Sequence, residues 1–324
     1  MNRRTLRFVP LALAGALALT ACGEAASGDQ DGSSAGRIQV VTSTTVYADL
    51  VSRIGGEHVA VSAIIDSLSQ DPHSYEATSR DKLALSKAGL VVSNGAGYDA
   101  FMDVMSVDLK LDEANVITAV DTSPVAHDDG PSGDESHDDH QDHGHEGHSH
   151  SGYNEHIWYD VESMRLLGDE ITTRLSTLRP EFAESFTLNS AALAQDLQGL
   201  ESRVVGLRGS LESRHFAMTE PVPFHLLDAA GMVDATPEGL SESIEGGGEV
   251  SPQAYQEMNT LMSNGAIDML AYNTQTESPQ TKRIRDQAER AGVDVVDFTE
   301  TLPANGDYVS WMSGNIRSLE KLAK

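Results

Sequence analysis

IQVVTSTTVYADLVSRIGGEHVAVSAII, residues 38–65, shows the unit from which the fold is built. Residues 38–43 read as an apolar strand, 46–54 as a helix closed by Gly55-Gly56, and 59–65 as a second strand. The alternation continues with a helix over 79–87, Gly89 past its end, a buried strand over 90–93 and another over 115–119. This rhythm predicts a mainly parallel sheet flanked by helices.

Beyond residue 150 the period becomes helical. Met164, Leu167, Ile171, Leu175 and Leu178 mark one helix over 161–178. Pro180 opens a longer run to residue 211, with Phe182, Phe186, Leu193, Leu197, Leu200, Val204 and Leu207 at its apolar positions. A helix of about 30 residues is roughly 45 Å long, enough to connect two lobes. The second half then repeats the alternation: strands at 216–219, 267–272 and 293–298, helices at 224–230, 252–263, 279–291 and 308–324. The expected fold is α/β, with two lobes, 37–179 and 212–324, each holding a mainly parallel sheet. A single long, rigid helix over 180–211 joins them. Sequence similarity between the lobes is too weak to mark a repeat.

The N-terminus has a basic start, an apolar run over 8–21 and then Cys22. That run is too short for a membrane-spanning helix, which needs about 20 residues, and it reads as an export signal over 1–21. Leu19-Thr20-Ala21-Cys22 resembles a bacterial lipobox, making Cys22 the lipidation site. Cys22 is the sole cysteine, so no internal disulfide is available. Residues 22–36, rich in Gly, Ser, Ala and Asp, read as a flexible tether. Lys plus Arg number 22 against 50 Asp plus Glu, for a net charge of −28. Nucleic acid is therefore not an expected partner, because phosphate binding needs basic patches.

Four segments hold candidate metal ligands: Asp-Pro-His-Ser-Tyr-Glu (71–76), Asn-Glu-His-Ile-Trp-Tyr-Asp (154–160), Thr-Glu-Pro-Val-Pro-Phe (219–224) and Asp-Phe-Thr-Glu-Thr-Leu-Pro (297–303). Imidazole and carboxylate together suit a borderline divalent cation such as Zn²⁺ or Mn²⁺. Between the first two lies 127–150, with seven His and eight acidic residues in 24 and no aliphatic or aromatic side chain. Such a stretch is expected to be disordered without metal, while His137, His140, His143, His145, His148 and His150 form an auxiliary chelating set. Metallohydrolase chemistry finds no support, since His-Glu-x-x-His and Gly-x-Ser-x-Gly are both absent. His145-Glu-Gly-His148 is one residue too short.

Essentially all of 37–324 resembles the substrate-binding lipoproteins of zinc and manganese ABC importers. Gln-Asp-Pro-His73-Ser-Tyr-Glu-Ala-Thr-Ser-Arg-Asp looks like the family's first-ligand segment. Asn-Glu-His156-Ile-Trp-Tyr-Asp is similar to its Asp-Pro-His-x-Trp segment, with Asn-Glu in place of Asp-Pro. Met-Thr-Glu220-Pro looks like the turn bearing a His or Glu ligand, and Val-Asp-Phe-Thr-Glu300 like the segment supplying a carboxylate, usually Asp. The resemblance implies a monomeric, non-enzymatic protein anchored outside the cell membrane, which passes its cation to a cognate ABC permease. His73 and His156 of the first lobe and Glu220 and Glu300 of the second would hold the cation between them. His225 stays open as the alternative to Glu220, and Asp297 as the alternative to Glu300. Two imidazoles and two carboxylates neutralise a divalent ion, so it need not be buried as an unpaired charge. The His-rich insert favours zinc, and the carboxylates favour manganese; the balance falls to zinc, because tetrahedral Zn²⁺ accepts carboxylates readily.

Overall fold

Strand β1 (Ile38–Thr44) is buried along nearly its whole length, which explains its continuous apolar run. The computed structural model describes residues 36–125 and 154–324. The expected export signal, lipidation at Cys22, most of the tether and the His-rich set His137 to His150 lie outside the described residues.

Helix α1 (Thr45–Gly55) returns the chain to β2 (Val59–Ile65), parallel to β1 in the register Ile38 to Val59. Helix α2 (Ser79–Leu85), β3 (Leu90–Ser93), α3 (Ala100–Leu109) and β4 (Val116–Thr118) complete a four-stranded parallel sheet of order β2-β1-β3-β4. After α4 (Val161–Leu178) and α5 (Ala183–Leu211) comes the second half. It comprises β5 (His215–Met218), α6 (Phe224–Ala229), β6 (Val233–Asp234), α7 (Leu240–Glu245), α8 (Pro252–Ser263), β7 (Met269–Asn273), α9 (Pro279–Ala291), β8 (Asp294–Phe298) and α10 (Tyr308–Leu322). Its sheet is also parallel, ordered β6-β5-β7-β8. The two sheets thus share one strand order, an internal repeat of architecture that the sequence did not disclose.

The long run from Pro180 divides into a 3₁₀ turn, Pro180–Phe182, and the 29-residue helix α5. Phe186, Ser190, Leu193, Leu197, Leu200, Val204, Leu207 and Leu211 are its buried residues. They recur every three or four positions and make one continuous stripe. That stripe packs on α1 and α4 from the first half and on α6 and α10 from the second. Three elements escape the sequence pattern: α3, the two-residue β6 and the six-residue α7. The last two are too short to display a period.

The final helix does more than close the second half. Leu302 N donates to Thr45 Oγ1 (3.1 Å), Tyr308 N to Asp49 Oδ2 (3.0 Å) and Tyr308 Oη to Trp158 O (2.8 Å), tying the C-terminus to the first half. One hydrophobic core accordingly runs from β1 and α1 through α5 to β7, β8 and α10. Truncating a buried residue of this stripe, Leu197→Ala, is expected to cost ~2–5 kcal/mol. Urea denaturation followed by circular dichroism checks this; an unchanged midpoint would mean that α5 is not a shared structural member.

Candidate metal centre

Chemistry-bearing side chains gather where the strands end, the usual place for ligands in open parallel sheets. His73 lies in the loop after β2. Asp71 shapes that loop: Oδ1 accepts from His73 N (3.0 Å) and Oδ2 from Ser74 Oγ (2.7 Å). Gln275, just past β7, secures it across the cleft by donating from Nε2 to Gln70 O (2.9 Å). The same Gln275 accepts at Oε1 from the backbone of Glu300 and Thr301, so one side chain couples the β2, β7 and β8 loops.

His156 sits in the turn before α4 and is fully buried. Asn154 sets its ring. The Asn154 amide nitrogen donates to Pro221 O (2.7 Å), which leaves Oδ1 to accept from the His156 backbone N–H (2.9 Å) and from Nδ1 (2.7 Å). Nδ1 therefore carries the proton, and the lone pair of Nε2 faces the cleft, the tautomer a metal requires. Tyr98 supports both imidazoles, its ring centroid 4.9 Å from that of His73 and 5.8 Å from that of His156. The loop that delivers Tyr98 needs glycine at 95, where φ is +88° and a Cβ would stand 2.4 Å from Thr118.

A third donor faces the imidazoles, and it is not one of the expected carboxylates. Glu245 Oε1 lies 3.4 Å from His156 Nε2 and 3.7 Å from His73 Nε2. His156 Nε2 and Glu245 Oε1 are buried without a hydrogen-bond partner. Among the described residues these three form the one group of His, Cys or acidic donors whose ligand atoms all lie within 4.8 Å of one another.

Glu220 and Glu300 lie outside that group, paired through a shared amide. Asn273 Nδ2 reaches Glu220 Oε2 at 2.6 Å and Glu300 Oε1 at 2.8 Å. Thr276 holds the other oxygen of Glu220, and Tyr98 Oη donates to Glu300 Oε2 (3.2 Å). The alternatives are engaged elsewhere. Asp297 points outward to Arg285 (Nη1 to Oδ1, 2.7 Å), and His225 uses Nε2 on Asn154 O (2.9 Å). The structure thus brings His73 and His156 together, and joins Glu220 to Glu300 through Asn273, whereas Glu245, Asn154, Tyr98 and Asn273 were not singled out by the sequence reading. The available signal for Glu245 was a carboxylate immediately before Gly246-Gly247-Gly248.

Burial decides the protonation of these groups. Desolvation, then the neighbouring His73 and His225, hold His156 well below the ordinary imidazole value, so it is neutral. Desolvation, followed by repulsion from Glu155, Glu220 and Glu300, pushes Glu245 up to about 9. Desolvation and Glu220 push Glu300 up to about 8, and burial raises Glu220 as well. Because the imidazole is neutral, the His156–Glu245 contact is not an ion pair. A divalent cation would reverse the carboxyl shifts by stabilising the ionised carboxylates.

With that geometry in place, residues 40–322 match the family model described as ZnuA, zinc-uptake complex component A, periplasmic. The chain belongs to the ZnuA family. The manganese-binding lipoprotein MntA of Halalkalibacterium halodurans is 26% identical over 203 residues, 62% of this chain and 58% of the relative. MntA of Bacillus subtilis is 28% identical over 185 residues, 57% of this chain and 53% of the relative. These matches span little more than half the length of the curated relatives. The periplasmic zinc-binding protein TroA of Treponema pallidum has the same fold, with a TM-score of 0.70 at 21% identity, covering 89% of this chain and 99% of TroA.

The pKa shifts set a pH signature. The folded values of Glu245 and Glu300, about 9 and about 8, stand above the ordinary 4.5. Their stabilisation is present at low pH and lost as pH rises through 8 and 9. His156 is shifted down, so its contribution is complete above 6.5 and lost below it. Between pH 7 and 9 the carboxyls decide, and the melting temperature of the metal-free protein is expected to fall. Saturating metal should stabilise increasingly over the same range, because binding releases those protons. Calorimetry with chelator and with metal checks both slopes; a flat metal-free profile would contradict the buried-acid assignment.

Proposed function

We propose that this chain is the extracytoplasmic substrate-binding component of a metal ABC importer, taking Zn²⁺ in preference to Mn²⁺. The observation that carries the reading is the buried, unpartnered Nε2 of His156 turned toward His73 and Glu245. In a protein with no cation to hold, an imidazole so placed is an uncompensated cost. His73 and His156 supply nitrogen ligands, and Glu220 and Glu300 supply carboxylates from the opposite wall. Asn154 acts behind His156, as partners of ligating histidines commonly do.

Residues 1–21 serve as the export signal. Cys22 carries the lipid anchor on the outer face of the cell membrane, and the tether leaves a monomeric body, lobes 37–179 and 212–324 about the 180–211 helix, free to meet a permease. The role is capture and release rather than catalysis. His137, His140, His143, His145, His148 and His150 gather zinc, a role that favours zinc over manganese.

Competitive titration of the metal-stripped protein with Zn²⁺ and Mn²⁺ tests the reading. One tight zinc site should survive deletion of 127–150, while weaker zinc sites vanish with it. Tight manganese with only loose zinc would make this a manganese importer component. His73→Ala and His156→Ala should each lower affinity on the order of a hundredfold or more, and Asn154→Ala by about 10–100-fold. Full affinity in His73→Ala would sink the site. Loss of metal uptake on deletion of the gene, restored by the wild-type chain but not by His73→Ala, separates an importer from a surface metal buffer.

A further inference from the structure

We propose that Glu245 is a direct ligand of the captured cation, a third carboxylate supplied by α7 in addition to Glu220 and Glu300; the inference rests on the metal-capture reading above. Donor atoms around tetrahedral Zn²⁺, with bonds of 2.0–2.1 Å, are about 3.3–3.4 Å apart. Glu245 Oε1 stands 3.4 Å from His156 Nε2 and 3.7 Å from His73 Nε2, so a cation seated among the three would need little rearrangement. The alternative, an acid packed beside two imidazoles for structural reasons, leaves two buried polar atoms unbonded, an arrangement that folded proteins avoid.

Position adds a second reason. Two cavities, of about 850 and about 740 Å³, open onto the cleft, and both are lined by Asp71, His73 and Glu245. His156, 0% exposed, lines neither, whereas the Glu245 side chain keeps 15% exposure. A cation arriving from either side meets Glu245 before it reaches His156. Glu245 is also the last residue of α7, and Gly246-Gly247-Gly248 follows, with Gly247 at φ +68° and open space where its Cβ would be. The carboxylate is thus carried at the junction of a short helix and a permissive backbone, able to follow an ion inward.

A third carboxylate makes the site richer in oxygen than its two imidazoles suggest. Harder ions gain more from oxygen donors, so removing this one should penalise Mn²⁺ more than Zn²⁺.

The test uses the mature full chain, stripped of metal and titrated with Zn²⁺, Mn²⁺ and the spectroscopic probe Co²⁺. Glu245→Gln is expected to weaken Zn²⁺ about tenfold or more, to weaken Mn²⁺ further, and to change the visible Co²⁺ absorption. Glu245→Asp, which keeps the carboxylate, should recover part of the affinity and serves if the Gln variant folds poorly. Unchanged affinities and an unchanged Co²⁺ spectrum in Glu245→Gln, with binding lost in His73→Ala, would overturn this ligand assignment alone. Binding retained in both His73→Ala and His156→Ala would overturn the whole site, Glu245 included.

Discussion

His156 is fully buried, its Nδ1 held by the Asn154 amide and its Nε2 turned toward His73 and Glu245 with no hydrogen bond to satisfy it. The rest of the cleft is arranged around that ring. Asn154 keeps its orientation because its own nitrogen is committed to Pro221 O, on the second half of the chain. The histidine is therefore oriented by a contact that exists only when the two halves are assembled. A buried lone pair without a donor is a standing cost, and a cation is the partner its geometry accommodates.

Electrostatics points the same way. Glu155, Glu220 and Glu300 are buried and Glu245 nearly so; loss of water first, and then repulsion from neighbouring carboxylates, raises Glu245 to about 9 and Glu300 to about 8. Like charges cannot share a poorly solvated cleft unless protons or a metal intervene. The hydrogen bonds from Asn273, Thr276 and Tyr98 hold Glu220 and Glu300 in place without neutralising them, since each donor is itself uncharged. What remains is a centre in which protons and a divalent ion compete for the same oxygens.

The scaffold makes this possible by ending parallel strands at one cleft. Both sheets have the order in which the first strand of each half is internal; loops after β2, β5 and β8 carry His73, Glu220 and Glu300, and the last residue of β7 is Asn273. Helix α5 packs on helices of both halves, and α10 returns to α1, so the walls of the cleft are braced through a common core. Gln275 extends that bracing to the loops themselves, reaching Gln70 on one side and the Glu300 backbone on the other.

The sequence by itself determined the α/β class, the parallel strands, the long helix from Pro180 and the four segments bearing His73, His156, Glu220 and Glu300. These were legible because each depends on local signals: continuous apolar runs, three-and-four spacing, and turn residues beside a potential ligand. Only the tertiary structure decided which donors meet. Asp297 and His225 are as close in sequence to the acid pair as true ligands would be, yet Arg285 and Asn154 O engage them. Glu245 rides on a helix too short to show a period and meets His156 from 89 positions further along the chain. Proximity of that kind is set by how two sheets face each other, a property of packing that no single segment encodes.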